Sequence, residues 1–302
     1  MDDPTRFRGD WAVPPRRSIV ELIADGVLDA ELAALAWLLI QRRLPIVVGA
    51  LARGVGKTTL LEALLDFLPP SVRRIDLVGA GEDFAWLPEA EALGWPAGHR
   101  TAADPSPAAS VSRRSVGPAS TFLVAPELSE HLPFYTWGRA ARTLVRAASI
   151  GYGIGATIHA DRLEDVHEAL RSPEVGLTDD ELSYLGLVLI ARAWREPDGS
   201  ITRRVVAAHY ERPVGRDEHG HLQRLPPAVI AVHDERSDAL EHFAWGVMPE
   251  LAIRLGAKAG DLEREQVERA ELLAALVRTG SLDVPAVRAA IASRDVVSRR
   301  VH

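Results

Sequence analysis

A short apolar strand, Ile46-Val47-Val48, leads into the loop Gly54-Val55-Gly56-Lys57-Thr58-Thr59, and a helical pattern follows at once. Leu60, Leu61, Leu64, Leu65 and Leu68 recur at helical spacing until Pro69-Pro70 ends the run. Strand, glycine loop and helix in this order restrict the chain to a sheet whose strand ends open onto a helix N-terminus. In that arrangement backbone amides and the positive helix end face an anion. Only Lys57 and Lys258 are lysine among 35 basic side chains; the rest are arginine. A lysine kept after Gly56 fits a slim ammonium reaching between the outer phosphates of a nucleotide, where arginine's planar fork is too wide. Thr58 then offers its hydroxyl to Mg²⁺, and Arg53, Gly54, Val55, Gly56, Lys57, Thr58 and Thr59 form the expected nucleotide-binding set. The phosphate-loop pattern Gly-x4-Gly-Lys-Ser/Thr is broken at its first position by Leu51, and Gly49 lies two residues too early to replace it. A side chain at Leu51 is expected to crowd the first turn of the loop.

At 302 residues the chain has room for one large domain or two modest ones. It has no cysteine, which excludes disulfides, thiol catalysis and cysteine-ligated zinc. Its ten histidines include no HExxH spacing, and His219 and His221 merely flank a glycine in a polar loop. A net charge of −7 opposes nucleic-acid binding as the main task, because neutralising phosphates takes a basic surface. The longest apolar run, Leu32 to Ile40, is less than half of the roughly 20 residues that span a bilayer. Met1-Asp2-Asp3-Pro4 lacks the basic and apolar segments of a signal peptide. The expected location is cytoplasmic.

Residues 1–17 are polar and proline-punctuated and read as an arm. Ser18 and Glu21 have the spacing of a capping box, opening a short helix that Gly26 ends. Asp29 caps a second helix to about Arg42. Further strands are expected at 75–78, 122–124 and 155–158, with helices at 138–149 and 163–170. Residues 96–120 read as a surface loop rich in Ala, Ser, Pro and Arg. Short apolar strands alternating with helices predict a parallel sheet covered on both faces. Leu187–Trp194 and Ile201–His209 around Pro197-Asp198-Gly199 predict an antiparallel hairpin. Residues 236–302 read as mostly helical, with a break at Ser281–Asp283. Trp11, Trp37, Trp86 and Trp95 are expected to be packing anchors.

Three blocks together resemble one family. The stretch Ser18-Ile19-Val20-Glu21-Leu22-Ile23, then helix, strand and Gly54-Val55-Gly56-Lys57-Thr58-Thr59, looks like the ATPase module of secretion motors. That family comprises type II and type IV secretion ATPases, type IV pilus motors and archaeal flagellar motors. Leu123-Val124-Ala125-Pro126-Glu127 resembles its Walker B segment, and Ala156-Thr157-Ile158-His159-Ala160-Asp161 its histidine box. The blocks stand in family order over residues 18–210. The resemblance implies that Glu127 orients the attacking water, that His159 senses or bonds the terminal phosphate, and that Lys57 holds it. It also implies ATP and Mg²⁺ as ligands, a homo-oligomeric, hexameric ring, and a platform protein at the inner face of the cytoplasmic membrane as partner.

The chain departs from the family in three places. The acidic box expected after the second strand is replaced by Gly79-Ala80, leaving Glu82 and Asp83 displaced. The Arg-Pro-Asp segment before the Walker B strand is absent, with Arg113 and Arg114 lying upstream. A separate N-terminal domain is expected to be lacking. The fold predicted is α/β: a RecA-like P-loop sheet over 18–233 with an antiparallel hairpin extension, and a C-terminal helical subdomain over 234–302. The function predicted is a motor ATPase of a secretion, pilus or conjugation-type machine. The alternatives are a non-hydrolysing nucleotide-binding scaffold and a DNA-partitioning or DNA-translocating ATPase.

Overall fold

The computed structural model describes residues 16–96, 116–132, 135–216 and 218–301. Most of the expected arm, most of the loop at 96–120, Trp11, Arg113 and Arg114 lie outside the described residues. Nine helices and ten strands are described: α1 Ile19–Ala24, α2 Ala30–Gln41, β1 Ile46–Gly49, α3 Lys57–Leu64, β2 Arg73–Asp76, β3 Thr121–Leu128, α4 Gly138–Ser149, β4 Gly153–Ile158, α5 Leu163–Arg171 and α6 Asp179–Leu182. They continue with β5 Leu187–Arg195, β6 Ile201–Tyr210, β7 Gly215–Arg216, β8 Leu222–Gln223, β9 Ala228–Asp234, β10 Ala239–His242, α7 Met248–Arg254, α8 Ala259–Arg278 and α9 Val284–Val301.

Eight strands form one sheet in the order β10-β9-β6-β5-β1-β4-β3-β2, and β7 and β8 pair separately. From β5 to β2 all neighbours are parallel, and from β5 to β10 all are antiparallel. β5 thus belongs to both halves: it pairs with β1 on one side and forms the expected hairpin with β6 on the other. Parallel strands end at the same edge, so β1, β3 and β4 deliver the glycine loop, Glu127 and His159 to one rim of the sheet.

The two faces are covered differently. On one, α1, α2 and α3 share a continuous apolar core with α7, α8 and α9. The helix starts match their sequence signals. Ser18 and Glu21 form the reciprocal capping box, with bonds of 3.0 and 2.7 Å, and Asp29 accepts from the Leu32 amide at 2.9 Å. Every residue of α2 from Leu32 to Ile40 is buried, which an amphipathic helix on a surface would not show. Trp37 stacks on Phe67 with ring centroids 4.9 Å apart. On the other face, α4 and α5 pack with the 84–95 segment, including Trp86 and Trp95, in a second core. The sheet itself is tightly fitted: a Cβ on Gly153 of β4 would come within 2.1 Å of the Phe122 ring, so glycine is required there.

Several expected boundaries are corrected. The second strand is Arg73–Asp76, not 75–78, because β2 is the sheet's edge and carries charged side chains that an apolar-run criterion passes over. Arg74 there bonds both Glu62 and Asp76. The third strand runs on through Glu127 to Leu128, with a register shift after Ala125. The helical run expected to continue until Pro69-Pro70 is α-helical only to Leu64 and tightens to a 3-10 turn over Leu65–Phe67. Residues 236–302 do not start as helix: β9 and β10 form a hairpin that carries the sheet to His242. No described helix is long and apolar enough to cross a membrane.

The hairpin is pinned to α2 by one contact with a pH signature. His242 Nε2 lies 2.7 Å from Asp29 Oδ2, and Glu31 Oε1 lies 3.7 Å from Nδ1. Burial alone would depress the His242 pKa, but the Asp29 bond and charge, with Glu31, raise it above the ordinary 6.5. A raised folded pKa stabilises fully below the unfolded value and loses that stabilisation as pH climbs through the folded value. His242→Gln should therefore lose more stability relative to wild type at pH 5.5 than at pH 8.5, by urea unfolding at each pH. An equal loss at both would refute the ion pair.

Candidate functional site

The glycine loop expected to bind phosphate occupies the span between β1 and α3. Gly54 and Gly56 have φ of +78° and +101°, left-handed conformations that glycine adopts without strain. Gly56 sits at the N-cap and Lys57 is the first residue of α3. Leu51, expected to crowd the first turn of the loop, is 63% exposed. Arg53 and Thr58 are likewise exposed, Thr59 is half-buried, and Val55 is buried.

Lys57 is the centre of the site. It is 8% exposed, and its Nζ donates to the Ala50 carbonyl at 3.2 Å. The same Nζ lies 3.0 Å from Glu127 Oε1 and 3.3 Å from His159 Nδ1, which is 102 residues away in sequence. Glu127 is 6% exposed, and its Oε2 accepts from the Thr157 hydroxyl at 2.8 Å. Oε1 is fully buried and has no hydrogen bond of acceptable alignment, although the ammonium is at ion-pair distance. The contact is therefore Coulombic attraction rather than a directed bond, and Oε1 retains lone pairs for another donor. Nearby, burial first and the Glu127 charge second raise the Tyr135 phenol above its ordinary range, with Arg53 opposing them.

His159 stands at a fork. Its Nδ1 is 3.3 Å from Lys57 Nζ and also 3.3 Å from the Leu51 carbonyl. One ring nitrogen cannot accept from an ammonium and donate to a carbonyl at once, so the tautomer selects between the two. With the proton on Nε2 the ring accepts from Lys57, and with it on Nδ1 the ring closes onto the loop. Nε2 is 3.8 Å from Glu127 Oε1, beyond hydrogen-bond range. The His131 ring lies beside it, with centroids 5.7 Å apart.

The displaced acids do not join this cluster. Glu82 is completely buried and accepts from the Val78 amide and the Trp86 indole, both at 2.9 Å. Asp83 accepts from the Ala85 amide at 2.9 Å and the Trp95 indole at 3.2 Å. Both carboxylates hold the turn after β2 against the second core. His219 and His221 are exposed, and no described group of His, Asp and Glu forms a metal cluster.

Sequence reasoning passed over three contributors. Thr157 lies within the histidine box itself, where its alternation with His159 was a usable signal. Asp161, in the same box, forms a two-point pair with Arg192 of β5 at 2.9 and 3.0 Å. Arg203 of β6 reaches the Gly54 carbonyl from a strand with no local motif. The role of the buried acid can be tested away from the loop. Glu82→Ala leaves an indole and an amide without acceptors, so it should cost about 2 kcal/mol of unfolding free energy in urea while leaving nucleotide affinity unchanged. A loss of affinity without a loss of stability would assign Glu82 to the site instead.

No family model and no curated protein matches the chain. Among solved structures it is similar to the ATPase DotB of Yersinia pseudotuberculosis, at 16% identity and TM-score 0.37, covering 62% of this chain and 47% of that one. It is similar also to the VirB11 ATPase from the Brucella suis type IV secretion system in complex with sulphate, at 18% identity and TM-score 0.34, covering 64% and 59%. A third likeness is to DotB of Legionella pneumophila, at 14% identity and TM-score 0.31, covering 80% and 55%. The chain spans between 47% and 59% of the length of these structures. All three are ATPases, and one is from a type IV secretion system.

Proposed function

We propose that this chain is an ATP-binding motor ATPase of the secretion-motor family. The observation that carries this reading is the convergence of Lys57, Glu127 and His159, one from each motif block, within 3.0 to 3.8 Å of one another at a single sheet edge. The residues fit a nucleotide and Mg²⁺. The loop glycines take left-handed turns, the helix N-terminus opens behind them, and Glu127 Oε1 keeps unused acceptor capacity. Arg53, Gly54, Val55, Gly56, Lys57, Thr58 and Thr59 would line the phosphates, and Thr58 would ligate the metal. When bound, Mg²⁺ would neutralise negative charge on the nucleotide's outer phosphates.

The residues' own work follows from their contacts. Lys57 is held by Ala50 and drawn to Glu127, so a terminal phosphate competes with the carboxylate for the ammonium. As Lys57 turns to phosphate, Glu127 is released from its counter-ion while Thr157 still orients it, leaving Oε1 to accept a proton from an attacking water. His159 loses its ammonium partner in the same exchange and can turn its Nδ1–H to the Leu51 carbonyl or to phosphate. The ring of identical subunits, the platform partner and the inner face of the membrane belong to this reading as well.

A second reading, a nucleotide-binding scaffold without turnover, is favoured by Glu82 and Asp83 being committed to indole and amide bonds. Phosphate release separates the two. Lys57→Ala should abolish MgATP binding in calorimetry. Glu127→Gln should retain or tighten it, by removing a negative charge from beside the phosphates, while lowering steady-state phosphate release at least about 100-fold. ATP binding with the same negligible release in wild type and Glu127→Gln would favour the scaffold. Unchanged binding in Lys57→Ala would overturn the site altogether.

A further inference from the structure

The loop that carries Lys57 has little of its own to hold it. Leu51, Ala52, Arg53 and Gly54 are all exposed, and a Cβ built on Gly54 would meet nothing within 4 Å. Two contacts from the β5–β6 side fix its shape. Val55 is buried in a small cluster with Ala50 and Ala191, against which Ala193 packs. Arg203 lies across the loop: Nε and Nη2 both donate to the Gly54 carbonyl, each at 3.4 Å. Its Cδ would sit 3.7 Å from a Cβ on Gly56, so the aliphatic stem covers the second loop glycine as well. Arg192 and Arg204, close by on the same two strands, are bound instead to Asp161 and Asp238.

The direction of this contact matters because a trans peptide is planar, and its C=O and N–H point opposite ways. β6 lies on the β5 side of β1, whereas β4 and β3, which bring His159 and Glu127, lie on the other. Drawing the Gly54 carbonyl towards β6 therefore turns the Val55 N–H away from β6, towards the side of Lys57, Glu127 and His159. That amide is one of the donors a phosphate loop presents to its anion. We propose that Arg203 is a positioning residue for nucleotide phosphate, setting the Gly54–Val55 peptide so that its amide faces the bound phosphates. The clamp makes up for Leu51, which stands where the phosphate-loop pattern has a glycine to shape the first turn. The inference rests on the reading of this loop as an ATP site.

Two measurements on the full chain test it. In calorimetry with MgATP, Arg203→Ala should weaken binding about tenfold, and Arg203→Lys, which can still donate to the carbonyl, should recover most of the loss. The melting temperature should stay within about 2 °C of wild type, because the side chain is only half-buried. In hydrogen exchange without nucleotide, the amides of 51–57 should exchange faster in Arg203→Ala, with β1 and the rest of α3 unchanged. Wild-type affinity in Arg203→Ala would overturn the proposal. So would weakened binding with unaltered loop exchange and no recovery by lysine, which would mark direct contact rather than positioning. If wild type and Lys57→Ala both fail to bind MgATP, the ATP-site reading falls. The exchange comparison then decides alone: unchanged protection at 51–57 removes the clamp.

Discussion

A buried ammonium facing a buried carboxylate is the contact around which the site is organised. Lys57 and Glu127 are each more than nine-tenths buried, where an isolated charge would be strongly unfavourable. Their pairing ties the loop after β1 to the end of β3, across the intervening β4. Removing either partner strands the other, a loss of about 3–5 kcal/mol for a pair at this depth. The pair exists only because β1, β4 and β3 run parallel and in that order. Two parallel strands end at one edge, and the middle one contributes Thr157 and His159 from the gap between them.

This arrangement gives Lys57 exchangeable partners and leaves Glu127 Oε1 with acceptor capacity to spare. Lys57 has the Ala50 carbonyl, Glu127 and His159 around it, and any one can be surrendered to a stronger anion. Thr157 keeps Glu127 oriented from its other oxygen, so the carboxylate does not collapse when the ammonium leaves. His159 links the cluster to the loop backbone at Leu51, so its tautomer is coupled to where Lys57 points. The site is a set of competing partners rather than a fixed cradle.

Local signals survived folding well. The caps at Ser18 and Asp29, the leucine spacing of α3 and the hairpin turn at 197–199 act through near neighbours, and the structure follows them. Misses cluster where tertiary context overrides local pattern. β2 is an edge strand, so its charged side chains hid it from an apolar criterion, and β10, four residues inside a segment expected to be helical, is a strand through its pairing with β9. Glu82 and Asp83 looked like a displaced acidic box. The indoles of Trp86 and Trp95, brought up by packing of the 84–95 segment, claim them instead.

The amino-acid order by itself determined the strand–glycine loop–helix unit, the three motif blocks and the alternation of strands and helices, since each depends on spacings of a few residues. Only the tertiary structure decided which of the marked residues meet. It left Leu51 exposed, set Thr157 on Glu127 and brought Arg203 over Gly54 from a strand with no motif of its own. Those outcomes depend on strand order and on the direction in which each strand enters the sheet. Contacts between residues far apart in the chain follow from that geometry, which no local spacing encodes.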